Sequence, residues 1–403
     1  MSQDKAGGGR MGDSSLLRRL NLAAALDAFL QAESLTPREL RAVVGVSRPT
    51  AEDLLATLIA DGRVEETAPP RQPSSTTRGA GRPARHFRFR AESGYVTGID
   101  IGAHKAMAVV TDLRGNTLAT QRVELDPGLD ATARIQIAVD VTRATWREAR
   151  LDPDEITGAA CGVTGALRVG EGAHDVREGP IGAGLAVYSL PGFPDVDVAA
   201  ELSAGLGVPV AVANDVKLAA LAEHWKGAAQ GHRDIVYMFA GHRAGAGVLI
   251  NGQVHQGHHG AAGEIGTWPM LGWEAAVDQL HARGAQLAAA ADLPSGREGE
   301  LVIASAARQD PESLRVLIEF AEVLARGAAV LALAVDPEVV VLGGGMSRGG
   351  AIIAEPFRRE LARLALVPID VITSTMGADS VAVGAARMAL DTVLTDLLAV
   401  PGA

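Results

Sequence analysis

Ala91-Glu-Ser-Gly-Tyr-Val-Thr-Gly-Ile-Asp-Ile-Gly-Ala-His-Lys105 is the stretch that decides how this chain is read. Its middle has the apolar, β-branched character of a strand, and the aspartate and glycine that close it predict a tight turn. A glycine turn after a buried strand lets phosphate come close to backbone N–H groups. Upstream lies a helix-turn-helix pattern that ends in an arginine-rich segment. A phosphate-type loop joined to a DNA-reading head suggests a regulator that senses a metabolite.

The chain has 403 residues, 47% of them apolar, enough for two or three domains with large cores. It contains no uninterrupted apolar run of 18 residues, and the polar start from Met1 to Asp13 has no signal-peptide core, so a cytoplasmic protein with no membrane partner is expected. The single cysteine, Cys161, lies in the apolar stretch 156–163 and reads as a buried core thiol. Disulfides and thiolate zinc sites within one chain are thereby excluded. The net charge of −11 is unevenly spread: residues 1–90 hold 14 Lys and Arg against 10 Asp and Glu, leaving 23 against 38 for the rest. Between Arg63 and Arg90, seven Arg face only Glu65 and Glu66. That imbalance is the pattern of a DNA-backbone contact if it lies beside a recognition helix.

Leu22, Leu26, Phe29 and Leu30 recur at helical spacing and predict a first helix over 14–31. Thr36-Pro-Arg-Glu39 opens a second, with Thr36 as N-cap, Pro37 at the first position and Glu39 completing a capping box. Gly45 breaks it. Ser47 caps a third helix, the reader, whose Leu54, Leu55, Leu58 and Ile59 face inward until Asp61-Gly62. Residues 63–67 and 86–90 alternate like the strands of a wing, and 68–84 between them is a mobile wing tip or linker. Contacts to DNA are expected from Ser47, Arg48, Pro49 and Thr50, with Arg82 reaching in from the wing. Glu52 and Asp53 on the exposed side of the reader repel phosphate unless they accept from a cytosine amino group. The alternative, a helical packing domain, has no use for seven guanidinium groups.

Past residue 91, strands alternate with helical returns, which indicates an α/β body. A first set runs to Ile156–Val163 and Thr164-Gly165. A second contains 235–240, 248–250, the Asn251-Gly252 hairpin turn and 339–342 leading into Gly343-Gly344-Gly345, so two lobes of related construction are implied. With Gly98-Ile-Asp-Ile-Gly102, Lys105, Leu190-Pro-Gly192, Asn214-Asp215, Gly260-Ala-Ala-Gly-Glu-Ile-Gly266, 336–345 and Gly377 to Gly384 in this order, the chain resembles the ROK family (repressors, open reading frames and sugar kinases) over about residues 15–398. The head resembles the repressor branch, down to Gly81-Arg82-Pro83. The resemblance implies an N-terminal winged helix-turn-helix over 14–90, after a disordered 1–13, and a two-lobed actin/hexokinase-like, ribonuclease H-type body. The first lobe would be 91–213 with 377–403 and the second 214–376.

In kinase members of that family a residue placed as Asp215 is the general base, one placed as Asp100 holds Mg²⁺ through water, and the glycine turns admit nucleotide phosphates. The resemblance assigns Gly102, Lys105, Gly245, Gly247, Gly343, Gly344 and Gly345 to the nucleotide side, and Gly192, Asn214, Asp215 and Glu264 to the sugar side. Asp215 is equally placed to cap the following helix. Two departures weigh against a working kinase centre. His104 stands where the family has a Thr, and His242-Arg-Ala-Gly-Ala-Gly247 replaces a Thr-Gly-x-Gly-x-Gly loop, which counts against ATP and Mg²⁺ binding. The family's zinc ligands are also missing. Thr267 takes the place of the His, and 268–282 contains no cysteine. Either Trp268 and Trp273 rebuild that wall or they are simply core or interface. His255, His258 and His259 near His242 lack an acidic or thiol partner, so no metal is expected, while Lys105 and Arg243 could take an acidic or phosphorylated ligand.

The sequence therefore predicts a transcription regulator, a repressor of carbohydrate-related genes with an inactive kinase centre. Its partners would be operator DNA, a small effector such as a sugar or sugar phosphate, and its own copy in a homodimer or dimer of dimers. An ATP-dependent sugar kinase is the alternative.

Overall fold

The computed structural model describes residues 11–69, 84–165, 190–193, 196–241, 243–293 and 296–399. They fall into two compact units: residues up to Val96 with Thr111–Asn116 and the chain from Leu390 onward, and Thr97–Val110 with Thr117–Ala389. Arg82, His242 and most of the 68–84 segment lie outside the described residues.

The first unit contains α1 (Met11–Gln31), α2 (Pro37–Val44), α3 (Arg48–Ala60), β1 (Val64–Thr67) and β2 (His86–Phe89). Helix α1 begins three residues earlier than the sequence pattern placed it, inside the stretch expected to be disordered. The capping box forms as expected: Thr36 Oγ1 accepts from Glu39 N–H at 3.3 Å, and Glu39 Oε2 accepts from Thr36 N–H at 2.8 Å. Gly45 ends α2 at a φ of 75°, a left-handed turn that glycine enters without steric cost. Phe29, Leu40, Leu54 and Leu58 are buried together with Phe87 and Phe89 of the wing, whereas Ile59 is exposed, contrary to its expected inward placement. Strands β1 and β2 pair antiparallel, Val64 opposite Phe89 and Thr67 opposite His86.

The Asp112–Asn116 turn clusters with this unit. Asp112 Oδ1 accepts from the N–H groups of Arg114 and Asn116, both at 2.9 Å, which fixes the turn. Arg114 then donates to the carbonyls of Phe29 at 3.0 Å, Leu30 at 3.4 Å and Ala32 at 2.8 Å. Its guanidinium also lies 5.7 Å from the Phe89 ring. A cation placed on the last carbonyls of a helix satisfies groups that have no partner inside the helix and opposes the negative end of its dipole.

The body begins with β3 (Tyr95–Ile101), β4 (Lys105–Asp112), β5 (Thr117–Glu124), α4 (Ala131–Ala149), β6 (Ile156–Val163), α5 (Val198–Leu206), β7 (Val210–Asn214) and α6 (Asp215–Trp225). It continues with β8 (Ile235–Ala240), β9 (Ala244–Ile250), β10 (Gln253–Val254), α7 (Trp273–Ala290), α8 (Glu298–Ala307), α9 (Pro311–Val335), β11 (Val339–Gly343), α10 (Ala351–Leu364), β12 (Asp370–Thr373) and α11 (Ser380–Leu398). The two sheets have the orders β5-β4-β3-β6-β7 and β10-β9-β8-β11-β12, so each lobe repeats one five-strand plan. This is the actin-like α/β fold expected from the sequence. Strand β11 is buried along its whole length between parallel neighbours β8 and β12, which explains its unbroken Val-Val-Val-Leu run. Asn251 and Gly252 both have positive φ, 54° and 77°, the backbone that a two-residue hairpin turn requires.

Candidate functional site

On the head, α3 turns Ala51, Leu54, Leu55 and Leu58 inward and leaves Arg48, Pro49, Glu52, Asp53 and Ala56 exposed. Two of the expected DNA contacts are engaged with each other: Ser47 Oγ caps the helix at Thr50 N–H (3.4 Å) and shares a 2.8 Å hydrogen bond with Thr50 Oγ1. The acidic pair is also not free. Asp53 accepts from Arg18 of α1 at 3.1 Å, and the same Arg18 Nη2 donates to Thr57 at 3.0 Å. Glu52 accepts from Arg48 Nε at 2.8 Å. On the wing, Arg85 pairs with Glu66 at 2.6 Å and Arg88 with Glu65 at 2.5 Å, so the two wing carboxylates are neutralised by the arginines beside them.

In the body a cavity of about 680 Å³ is lined by residues of both lobes, among them Asp100, Lys105, Asn214, Asp215, Arg243 and Glu264. Asp215 Oδ2 accepts from Thr164 Oγ1 at 2.9 Å, and Oδ1 from the N–H of Val216 at 2.9 Å. Burial, with the charges of Asp100 and Glu264, outweighs these two hydrogen bonds and pushes the carboxyl up to about 7. Burial raises Glu264 as well, against the opposing effect of Lys217. The helix cap that Asp215 could have supplied is supplied by its neighbour: Asn214 Oδ1 accepts from Lys217 N–H at 3.0 Å, and Asn214 Nδ2 donates to Gly165 O at 2.7 Å. Asp215 is thus spared for the cavity. Gly102, Gly245, Gly344 and Gly345 line the cavity too, but Gly192, Gly247 and Gly343 do not. A Cβ on Gly343 would stand 2.3 Å from the Tyr237 hydroxyl, so that glycine serves packing.

Residues 96–392 match the ROK family. The chain belongs to the ROK family. Relatives differ in how much of it they share. A xylose repressor of Caldicellulosiruptor bescii is 22% identical over 97% of this chain and 99% of its own. The glucokinase of Streptomyces coelicolor is 28% identical over 73% of this chain and 98% of that enzyme. The bifunctional enzyme NanE/NanK of Brucella melitensis is 30% identical over 73% of this chain, which spans only 54% of that protein. Among solved structures, a ROK family transcriptional regulator homologous to the E. coli MLC protein has a TM-score of 0.68 at 20% identity, covering 95% of this chain and 98% of that one.

Against the ROK kinase pattern, the first phosphate loop does not supply a hydroxyl at position 104, where His104 stands. Lys105 Nζ lies 2.6 Å from Asp100 Oδ2 and also donates to the Ala378 carbonyl, so two residues assigned to the nucleotide side are paired with each other. The His104 ring stands against Gly296 across the cavity, where a Cβ would come within 3.2 Å of Nδ1. Nor do the residues at the family's zinc position fit zinc. Thr267 donates its hydroxyl to Glu264 O at 2.7 Å, Trp268 is 48% exposed, and Trp273 is buried with its Nε1 donating to Val323 O at 3.0 Å. Trp273 is packed on Gly266 and Gly327 and also lines the cavity. Among the described residues no group of three His, Cys, Asp or Glu is arranged to hold a metal. His258 and His259 stack edge to face with ring centroids 4.5 Å apart. Cys161 is fully buried as expected.

Two residues that shape this cavity escaped the sequence reading. Arg134 on α4 is fully buried and donates to five carbonyls, including Gly102 and Ala103 of the first phosphate loop, each at 2.9 Å. Lys217 on α6 is 2% exposed and holds the 256–260 loop through the Gln256 and Gly260 carbonyls. The only sequence signal for Arg134 is its place in the apolar stripe Ala131, Ile135, Ala138 and Val139.

Proposed function

We propose that this ROK protein is a DNA-binding transcription regulator, a repressor of carbohydrate-related genes, whose body binds a small hydroxylated effector and whose kinase centre is inactive. The observation that carries this reading is the extent of the likeness: the xylose repressor matches head and body together, whereas the glucokinase matches the body alone. A winged head with a capped reader helix supports it. Such a head buries too little surface alone for a specific site, so a homodimer on a near-palindromic operator in the cytoplasm follows. No helix among the described residues is long and apolar enough to cross a membrane.

A second reading, an ATP-dependent sugar kinase, is favoured by Asp215, whose carboxyl at about 7 is near the value a general base needs. Capture of genomic fragments by the purified protein, with gel-shift titration over a salt series, tests the first reading. Site-specific binding that a metabolite alters supports it. ATP-dependent phosphorylation of a sugar that Asp215→Asn abolishes would overturn it in favour of the second.

A further inference from the structure

On α3 the residues outside the core form a line, Arg48, Glu52, Ala56 and Ile59, at spacings of four and three that keep them on one helix face. Arg18 secures the neighbouring edge by bonding Asp53 and Thr57. That contact removes one carboxylate from competition for Arg48. What remains beside Arg48 is Glu52, and the bond between them is specific: Arg48 Nε donates to Glu52 Oε1 at 2.8 Å, with the two side chains 79% and 54% exposed.

An exposed i,i+4 ion pair adds very little to folding stability, so stability does not account for an acid on a surface that must approach phosphate. Geometry offers an account. A guanidinium has two edges, and a carboxylate on Nε leaves the paired Nη edge available. That edge matches the O6 and N7 acceptors of guanine in the major groove. An arginine already held at one edge also loses less rotamer freedom when the other edge binds.

We propose that Glu52 is a positioning residue for base readout: it holds Arg48 so that its Nη edge faces a guanine in one operator half-site. The inference rests on the DNA-binding reading of the head and deepens it. It reverses the simpler expectation that Glu52 only repels DNA. Glu52 itself touches no base here; it acts through Arg48.

The test is selection of binding sites from a randomised DNA pool by the full-length protein, followed by affinity measurement on the selected site and its single-base variants. The set is wild type, Arg48→Ala, Glu52→Ala, Glu52→Gln and the double alanine variant. Arg48→Ala is expected to flatten the preference at one G·C position by roughly 5- to 150-fold. Glu52→Ala should flatten the same position by a smaller factor, Glu52→Gln, which keeps an acceptor for Nε, should largely restore it, and the double variant should be no flatter than Arg48→Ala. Equal melting temperatures across the set exclude unfolding as the cause. The inference is overturned if Glu52→Ala strengthens binding to all sequences equally, if it changes preference at a different base pair, as direct contact with a cytosine amino group would, or if Arg48→Ala leaves every position unchanged. Failure of the wild-type protein to select any sequence sinks the DNA-binding reading instead, and is separable from these outcomes.

Discussion

Replacing Arg114 by Ala should loosen the end of α1 and with it the DNA-reading unit. The side chain is half-buried and gives two good hydrogen bonds, to Phe29 O and Ala32 O, and a long one to Leu30 O. Burial lowers its pKa, yet it remains charged at any physiological pH. A hydrogen bond from a charged donor contributes about 1.5–3 kcal/mol, and water can replace part of it at a half-buried site. Counting two effective bonds and allowing for that replacement gives a loss of about 2–4 kcal/mol. For a unit of this size, that corresponds to roughly 10–20 °C in melting temperature. All four tryptophans, Trp146, Trp225, Trp268 and Trp273, lie in the other unit, so tryptophan fluorescence will not see the change. Hydrogen exchange of residues 20–35, with calorimetry, will. Arg114→Lys keeps the charge but cannot span three carbonyls and should fall between. Exchange in this segment unchanged to within about 0.5 kcal/mol would refute the clamp, and equal destabilisation of the tryptophan-reported unit would show that the residue acts on the strands and not on α1.

Arg134→Met should cost about 3–5 kcal/mol, because the apolar chain fills the space but removes the buried guanidinium from five part-buried bonds to carbonyls. Urea titration followed by tryptophan fluorescence measures it, and a change under about 1 kcal/mol would mean that water substitutes freely. Asp215 makes stability depend on pH. Unfolded, it ionises near 3.8; folded, near 7, so between those values the folded state keeps a proton that the unfolded state has lost, and stability falls as pH rises. The gap corresponds to at most about 4 kcal/mol, reduced by whatever water reaches the carboxylate through the cavity. Asp215→Asn should therefore match wild type near pH 4 and exceed it near pH 8. Identical urea midpoints at both pH values would remove the premise.

Most of the architecture was legible because it is written in local pattern. The Thr36-Pro-Arg-Glu39 cap, the Asn251-Gly252 turn and the valine run of β11 each encode their geometry within a few residues. The helix after β7 shows where local reading stops: Asn214 and Asp215 are equally good caps by type, and only the hydrogen bond from Asn214 Nδ2 to Gly165, 49 residues away, decides which one turns to the helix. Gly245 and Gly247 both pack against α6, a Cβ coming within 2.8 Å of Val216 and 3.2 Å of Ala220 respectively, and only the first also lines the cavity. Charged residues were the least legible. Arg134 and Lys217 look like surface residues but are buried, and Ala103 and Gly260, whose carbonyls they bond, lie 31 and 43 positions away, where no spacing rule connects them.

The site itself then has a physical logic that no single motif states. Asp100 is neutralised by Lys105, whereas Asp215 and Glu264 are held above their ordinary values by burial. Buried carboxyls are costly when ionised and are relieved by hydroxyl donors. A polyol that donates to them would favour whichever conformation of the body encloses it, and would shift the equilibrium only by its difference in affinity between the two states. A nucleotide phosphate would meet both Asp215 and Glu264 and the guanidinium groups of Arg243, Arg297 and Arg348 in the cavity lining. Under the proposed reading the polyol is held in the cavity and not phosphorylated.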